Sequence, residues 1–285
     1  MAINQFSTVV ALGSFDGVHL GHAEVIKAAV SQNKYIPAVF TFRNAYKNTL
    51  NIIDTGTKHH ILLTLGIKKL YIYDFERLRD FSPEEFVADI LMKELNAKAV
   101  CCGYNFRFGK GGCADANELA RICGEFDIKT IIVPPVKIDN LPVNSTHIRK
   151  LIAEGDIENA NRFLGRELSY ELEVVGGNKL GRTIGFPTIN QNMPDGCVIP
   201  LFGVYKSRVD VKGCVSDGIT NIGVKPTAGE NNKVTIETHI LGCGEDLYGE
   251  IIKVSLVSFI RPERKFGSFE ELKQQINKDL EVANG

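Results

Sequence analysis

Two segments of this 285-residue chain carry residue types and spacings suited to handling phosphate. The first is Gly13-Ser14-Phe15-Asp16-Gly17-Val18-His19-Leu20-Gly21-His22, which follows an apolar run and leads into a helical pattern. Gly13 and Gly17 permit tight turns and close approach of a ligand. A helix opening near Gly21 offers free N–H groups and a partial positive charge, both suited to an anion. His19 and His22 can donate hydrogen bonds to phosphate oxygens without a permanent charge. A later stretch, Val143-Asn144-Ser145-Thr146-His147-Ile148-Arg149, also begins a helix. Ser145 and Thr146 are natural N-caps and Arg149 stands one turn in, which makes either a second anion cradle or ordinary helix capping.

The second segment runs from Gly176 to Asn190 and is dense in glycine: Gly177, Gly181 and Gly185 stand with the cations Lys179 and Arg182, followed by Phe186-Pro187-Thr188-Ile189-Asn190. Such a loop brings backbone N–H groups close to phosphates. Thr188 and Asn190 are two apart, so in an extended segment their side chains point the same way. Their neutral oxygens can complete the shell of a Mg²⁺ balanced mainly by phosphates. The GxxxxGK[ST] pattern is absent, which excludes a P-loop NTPase. The plainer alternative is a surface hairpin with turn glycines.

The elements around these segments fall into two rhythms. Strand-like runs over Ser7–Leu12, Ile36–Phe42, Lys69–Tyr73, Lys98–Cys102 and Ile128–Val133 alternate with helical patterns. One helix opens on Ser82-Pro83-Glu84-Glu85, a capping box with Pro at its first position. This predicts an α/β domain with a doubly wound parallel sheet, whose ligands bind beyond the C-terminal strand ends. After Leu164 the strand patterns Tyr170–Val175, Gly203–Val211, Cys214–Ile222, Val234–Leu241 and Glu250–Phe259 follow without helices. They predict a mostly antiparallel β-barrel, closed by a C-terminal helix that opens on Ser268-Phe269-Glu270-Glu271. The expected domains are residues 1–165 and 166–285.

Composition narrows the class. Hydrophobic residues are 44% and charged residues 24%, enough apolar surface for one or two cores. The net charge is −1, and neither half is a basic block, so no nucleic-acid partner and no anionic membrane surface is expected. No run of about 18 apolar residues exists. The opening MAINQFSTVV reads as a first strand and not a signal peptide. The seven cysteines are scattered without a CxxC pair, which points to reduced thiols and a cytoplasmic location. Self-association is permitted by the charge but not readable from it.

With these residues assembled, the chain resembles a known family. The HxGH of His19–His22 with a later Ser-Thr-x-x-Arg resembles the nucleotidyltransferase superfamily. Phe81–Val87 and Gly103-Tyr104-Asn105-Phe106-Arg107-Phe108-Gly109-Lys110 narrow the match to the bacterial bifunctional riboflavin kinase/FAD synthetase family. In the second half Gly185-Phe186-Pro187-Thr188-Ile189-Asn190 resembles the riboflavin kinase signature. Gly203–Tyr205, Asn221–Thr227, Ile236–Ile240, Asp246–Gly249 and Arg261–Glu263 follow in family order. The resemblance implies that the first half adenylylates FMN to FAD with release of pyrophosphate, and that the second phosphorylates riboflavin with ATP and Mg²⁺. It implies that Asn105 and the Phe106–Gly109 loop line the nucleotide and flavin site, that Thr188 and Asn190 touch the metal, and that Glu237 is the general base. From spacing alone Glu237 is a polar residue in an alternating strand.

One stretch departs from the family. Where its members carry Thr-Phe-Asp-Pro-His-Pro, this chain reads Thr41-Phe42-Arg43-Asn44-Ala45-Tyr46. Arg43 or Asn44 is then the expected replacement contact to phosphate. The alternatives are a riboflavin kinase whose first half has lost its chemistry, and a non-catalytic flavin-binding regulator. His59-His60 read as helix-surface residues, and Arg261 and Arg264 as either flavin-phosphate contacts or the charged end of a strand.

Overall fold

In a computed structural model of the chain, residues 6–43, 49–177, 185–225, 233–242 and 246–284 are described. Contacts divide the chain into two compact units, Met1–Asn51 with Thr55–Ser145, and Ile52–Asp54 with Thr146–Gly285.

The first unit is built on five parallel strands: β1 (Thr8–Leu12), β2 (Ile36–Phe42), β3 (Lys69–Tyr73), β4 (Ala97–Gly103) and β5 (Lys129–Val133). Their order is β3-β2-β1-β4-β5, so the winding reverses between β1 and β4. Every residue of β1 is buried, as expected where helices cover both faces. On one face Val10, Leu12, Phe40, Val100 and Cys102 pack with Phe86, Ile90 and Leu91 and with Leu119 and Ile122 of a helix over Ala116–Glu125. Helix α1 (Leu20–Val30) and helix α2 (Thr55–Thr64) bury Val25, Ile26, Ala29 and Leu62. The doubly wound sheet expected from the alternation is therefore present.

The Ser82 capping box forms: the Glu85 backbone N–H donates to Ser82 Oγ at 3.1 Å, and the Ser82 N–H to Glu85 Oε2 at 2.8 Å. The helix it opens differs from expectation. After Pro83–Glu85 it winds as a π-helix over Phe86–Glu94, closed by Leu95 N–H donating to the Ile90 carbonyl. The wider turn keeps Phe86, Val87, Ile90 and Leu91 all buried.

The second unit holds six antiparallel strands: β6 (Leu168–Glu173), β7 (Thr188–Asn192), β8 (Gly203–Val211), β9 (Cys214–Lys225), β10 (Lys233–Ile240) and β11 (Ile251–Pro262). Their order is β6-β11-β8-β9-β10-β7. The sheet curls until its ends approach. Val175 pairs with Asn190, and Gln191 Nε2 donates to the carbonyls of Leu172 (2.7 Å) and Ile252 (2.8 Å). Inside the curl lie Val209, Ile240, Ile252 and Val254, with Ile189 packed against them. A hydroxyl ladder also runs inside: Thr220 Oγ1 is 2.8 Å from Ser207 and 2.9 Å from Thr238, so these buried polar groups satisfy one another.

Two short helices, Ser145–Ala153 and Ile157–Leu164, follow, and from Thr146 onward they cluster with the second unit. A helix over Phe269–Asn284 ends the chain and lies on the outer face of the sheet, with Ala283 packed among Val204 and Ile219. Glu271 N–H donates to Ser268 Oγ (3.2 Å), while the Glu271 carboxylate returns to Gly267 N–H (2.9 Å) and not to the Ser268 N–H that a full capping box would use. Arg261 is the bolt of this helix. Its guanidinium grips the buried Asp279 through three bonds of 2.7–3.1 Å, and Gln275 adds a fourth at 2.7 Å. Arg261 thus fastens the helix to the end of β11.

Removing one partner of a buried ion pair leaves the other charge uncompensated. We expect Asp279→Ala to lower the stability of the second unit by about 3 kcal/mol, measured by urea unfolding.

Candidate functional site

The Gly13–His22 segment leaves the C-terminal end of β1, beside the point where the winding reverses. Its backbone is tightly folded. Phe15, Gly17 and Val18 all have positive φ (50°, 76° and 41°), and Phe15 and Val18 are buried, so packing holds a conformation that a β-branched residue resists. Gly13 lies against the Phe15 ring, 3.3 Å from where its Cβ would sit. Thr41 Oγ1 donates to the Ser14 carbonyl (2.8 Å) and Ser145 Oγ to the Asp16 carbonyl (3.0 Å), pinning the turn from two sides.

His19 is the N-cap of α1. Its Nδ1 accepts the His22 backbone N–H at 3.2 Å, so in the neutral ring the proton sits on Nε2. The His19 and His22 rings stack at 3.6 Å, and His22 leans on Phe15 at 5.1 Å. Gly21 makes this possible: a Cβ there would be 3.2 Å from the His19 ring, tight enough to push it. The expected cluster of Gly13, Phe15, Asp16, Gly17, His19, Gly21 and His22 is therefore one turn, with Ser145 bonded to it. Asn105 lies in the turn after β4, next to β1 in the sheet, with its Oδ1 folded back over Gly103. Phe108 instead enters the hydrophobic core, with Phe106 stacked on it at 5.8 Å. Thr146 and Arg149 follow Ser145 on the same helix, in the part that clusters with the second unit.

The departing stretch is described only as far as Arg43. Its Nε donates to Asp74 at 3.1 Å on an exposed surface, a pair worth about 0–1 kcal/mol. Asn44, Ala45 and Tyr46 lie outside the described residues. Sequence reading passed over Lys58. This lysine is 7% exposed, donates to the Phe42 carbonyl at 3.0 Å, and faces Asp16 of the turn. Burial lowers its pKa, and the Asp16 carboxylate offsets only part of that. Its neighbours His59, half-buried, and His60, exposed, belong to no metal-ligating cluster among the described residues.

In the second unit the register assembles the site. Asn190 pairs with Glu237, Thr188 with His239, and Asn221 with Glu237 from the other side. Paired residues share a face, so Thr188, Asn190, Glu237, His239 and Asn221 form one polar surface on the outside of the curl. Ile189, Ile236, Thr238 and Ile240 face inward. Thr188 Oγ1 donates to Glu237 Oε1 at 3.3 Å. His239 Nδ1 lies 2.8 Å from the Pro187 carbonyl and its ring meets Phe186 edge-on, which fastens the chain just before Thr188. Two residues not singled out from sequence join this surface: Asn221 Nδ2 donates to Glu263 Oε1 at 2.9 Å. Strand alternation alone would have placed Asn221 on the Glu237 face had the register been known.

Gly177 approaches Asn190 so closely that a Cβ would sit 2.3 Å from its Nδ2. Gly185 forms the turn before β7, with φ 88°. Lys179, Gly181 and Arg182 lie outside the described residues, so the glycine-rich loop is seen only at its two ends.

Comparison with known proteins joins these two sites. A riboflavin kinase family model matches residues 164–285, and an FAD synthetase family model matches residues 2–147. The chain belongs to the bacterial bifunctional riboflavin kinase/FMN adenylyltransferase family. The member of this family from Listeria monocytogenes is 34% identical, aligned over 95% of this chain and 90% of its own length. That from Bacillus subtilis is also 34% identical, over 98% and 92%. A crystal structure of a macrolide-efflux protein from Streptococcus pneumoniae shares the fold throughout, with a TM-score of 0.87 and 31% identity over 99% of this chain and 95% of that one. Among the described residues no helix of this family member is long and apolar enough to cross a membrane.

The contact at Gly177 gives a direct check. Gly177→Ala has to displace the Asn190 amide, and overpacking of this kind costs about 1–3 kcal/mol. The expected outcome is a lower thermal midpoint together with a shifted Asn190 side-chain amide resonance.

Proposed function

We propose that this bifunctional transferase phosphorylates riboflavin to FMN on the Thr188–Asn190–Glu237 surface and adenylylates FMN to FAD at the Gly13–His22 turn. The functional division is taken as residues 166–285 for the first reaction and 1–165 for the second. The observation that carries the reading is the register that places Thr188 and Asn190 beside Glu237 on one strand face.

In the kinase step Glu237 accepts the proton of the ribityl 5′-hydroxyl as that oxygen attacks the γ-phosphate of ATP. A positioned general base is worth about 10²–10⁴-fold. Thr188 Oγ1 keeps the carboxylate aimed, and His239 holds Pro187 and hence Thr188 in place. The Thr188 hydroxyl and the Asn190 side-chain carbonyl are hard, neutral oxygen donors that fit Mg²⁺ arriving with the nucleotide. When bound, Mg²⁺ neutralises charge on the transferring phosphoryl group. The loop carrying Gly177, Lys179, Gly181, Arg182 and Gly185 is assigned to the ATP phosphates.

In the adenylyl step FMN brings its own nucleophile, a phosphate oxygen, so the protein has only to align two anions and stabilise charge. The Nε2–H of His19, the side chain of His22 and the positive N-terminal end of α1 are assigned to the triphosphate. Ser145, Thr146 and Arg149 are assigned as a second anion cradle, and Asn105 lines the nucleotide site. The substrates are riboflavin, FMN and ATP, with neither nucleic acid nor membrane as partner. A cytoplasmic location agrees with the thiols: Cys101, Cys102 and Cys123 are free, and burial pushes them up to about 12, 12 and 11, which makes them inert.

A chromatographic assay of the full chain with ATP and Mg²⁺, started from riboflavin or from FMN, separates the two activities. Glu237→Gln is expected to reduce FMN formation by about 10²–10⁴-fold while FAD formation from supplied FMN stays intact. Equal loss of both would refute two independent sites. Replacing His19 and His22 together with Ala is expected to remove FAD formation and spare FMN formation; near-normal FAD output would overturn the first-site assignment.

A further inference from the structure

Lys58 occupies a position that folding alone disfavours. It is buried, in the first turn of α2, where the helix end already carries partial positive charge. Burial of a lysine costs unless it is paired. Its hydrogen bond goes to a neutral carbonyl, that of Phe42, and the Asp16 carboxylate compensates only in part. Both partners lie at the functional edge of the sheet. Phe42 ends β2, where the chain departs from its family, and Asp16 belongs to the turn carrying His19 and His22.

We propose that Lys58 is a positioning residue for adenylyl transfer: it ties the end of β2 to the Asp16 turn and sets a fixed positive charge behind the surface that receives the nucleoside triphosphate. The inference rests on the adenylyl-transfer reading of the first unit. Thr41 bonds the Ser14 carbonyl, Lys58 bonds the next residue's carbonyl, and Thr55 at the start of the same helix reaches the Arg43 carbonyl at 3.4 Å. An anion bound at the turn then recovers the cost of keeping a buried charge.

The sign of the stability effect separates this role from a structural one. The unfolded chain holds the Lys58 proton more tightly than the folded chain, so at neutral pH the charged lysine lowers stability. Lys58→Met keeps an unbranched side chain one atom shorter and removes the charge. In the full chain its thermal midpoint is expected to stay level or rise. Its kcat/KM for FAD formation from FMN is expected to fall roughly 10- to 100-fold, with KM for ATP raised. FMN formation from riboflavin should stay within about twofold of the parent, and Lys58→Arg should recover part of the lost FAD activity.

Retention of at least half of FAD formation in Lys58→Met would overturn the proposal. So would a loss of FAD formation that comes with a lowered midpoint and is not recovered by Lys58→Arg, which would mark a structural lysine. A parent protein that makes no FAD from FMN would overturn the adenylyl-transfer reading itself, and this inference with it.

Discussion

Successive residues of a strand face opposite sides, so a slip of β10 by one position would turn Glu237 and His239 inward and Ile236, Thr238 and Ile240 outward, away from Thr188 and Asn190 of β7. The second unit depends on this not happening, and several contacts prevent it. The Thr238–Thr220–Ser207 ladder is satisfied only when these hydroxyls meet inside the curl. Gln191, also inward, bonds two carbonyls from β6 and β11. Val175 pairs with Asn190 and brings Gly177 against its amide. The same register that turns the apolar residues into the curl gathers the polar row on its outer face, so core and site are two sides of one constraint.

The first unit solves a different problem, holding a short turn in a conformation its residues resist. Phe15 and Val18 have positive φ, yet both side chains are buried, and the lost packing would exceed the strain. Hydroxyls of Thr41 and Ser145 clamp the turn's carbonyls, and Gly21 leaves room for the His19 ring to fold back onto the helix end. Polar groups here are arranged at a cost to folding, which is the usual condition of a site shaped for a ligand.

Arg261 shows how a charged residue in a family-like segment can have a mainly architectural task. From sequence it was equally a phosphate contact or a strand end. The bidentate grip on Asp279 fastens the last helix to the outer face of the same sheet that carries Glu237. That helix packs over Val204 and Ile219.

Much was legible in the residues themselves. The alternation of strands and helices gave way to strands alone, and both folds follow from that pattern because hydrophobic periodicity is local. Ser82 with Glu85 announced a helix start, and Gly13–His22 a turn at a strand end, because caps and glycine turns depend only on neighbouring residues. Long-range facts were not legible. The pairing of Asn190 with Glu237, 47 positions along the chain from it, and of Asn221 with Glu263 through a hydrogen bond depends on register. The burial of Lys58 against Phe42 and Asp16 depends on how a helix seats on a sheet, and its sequence neighbours gave no sign of it. Local chemistry is written in residue types and spacing. Which of those residues meet is decided by packing between segments remote in sequence, and only the tertiary structure carries that.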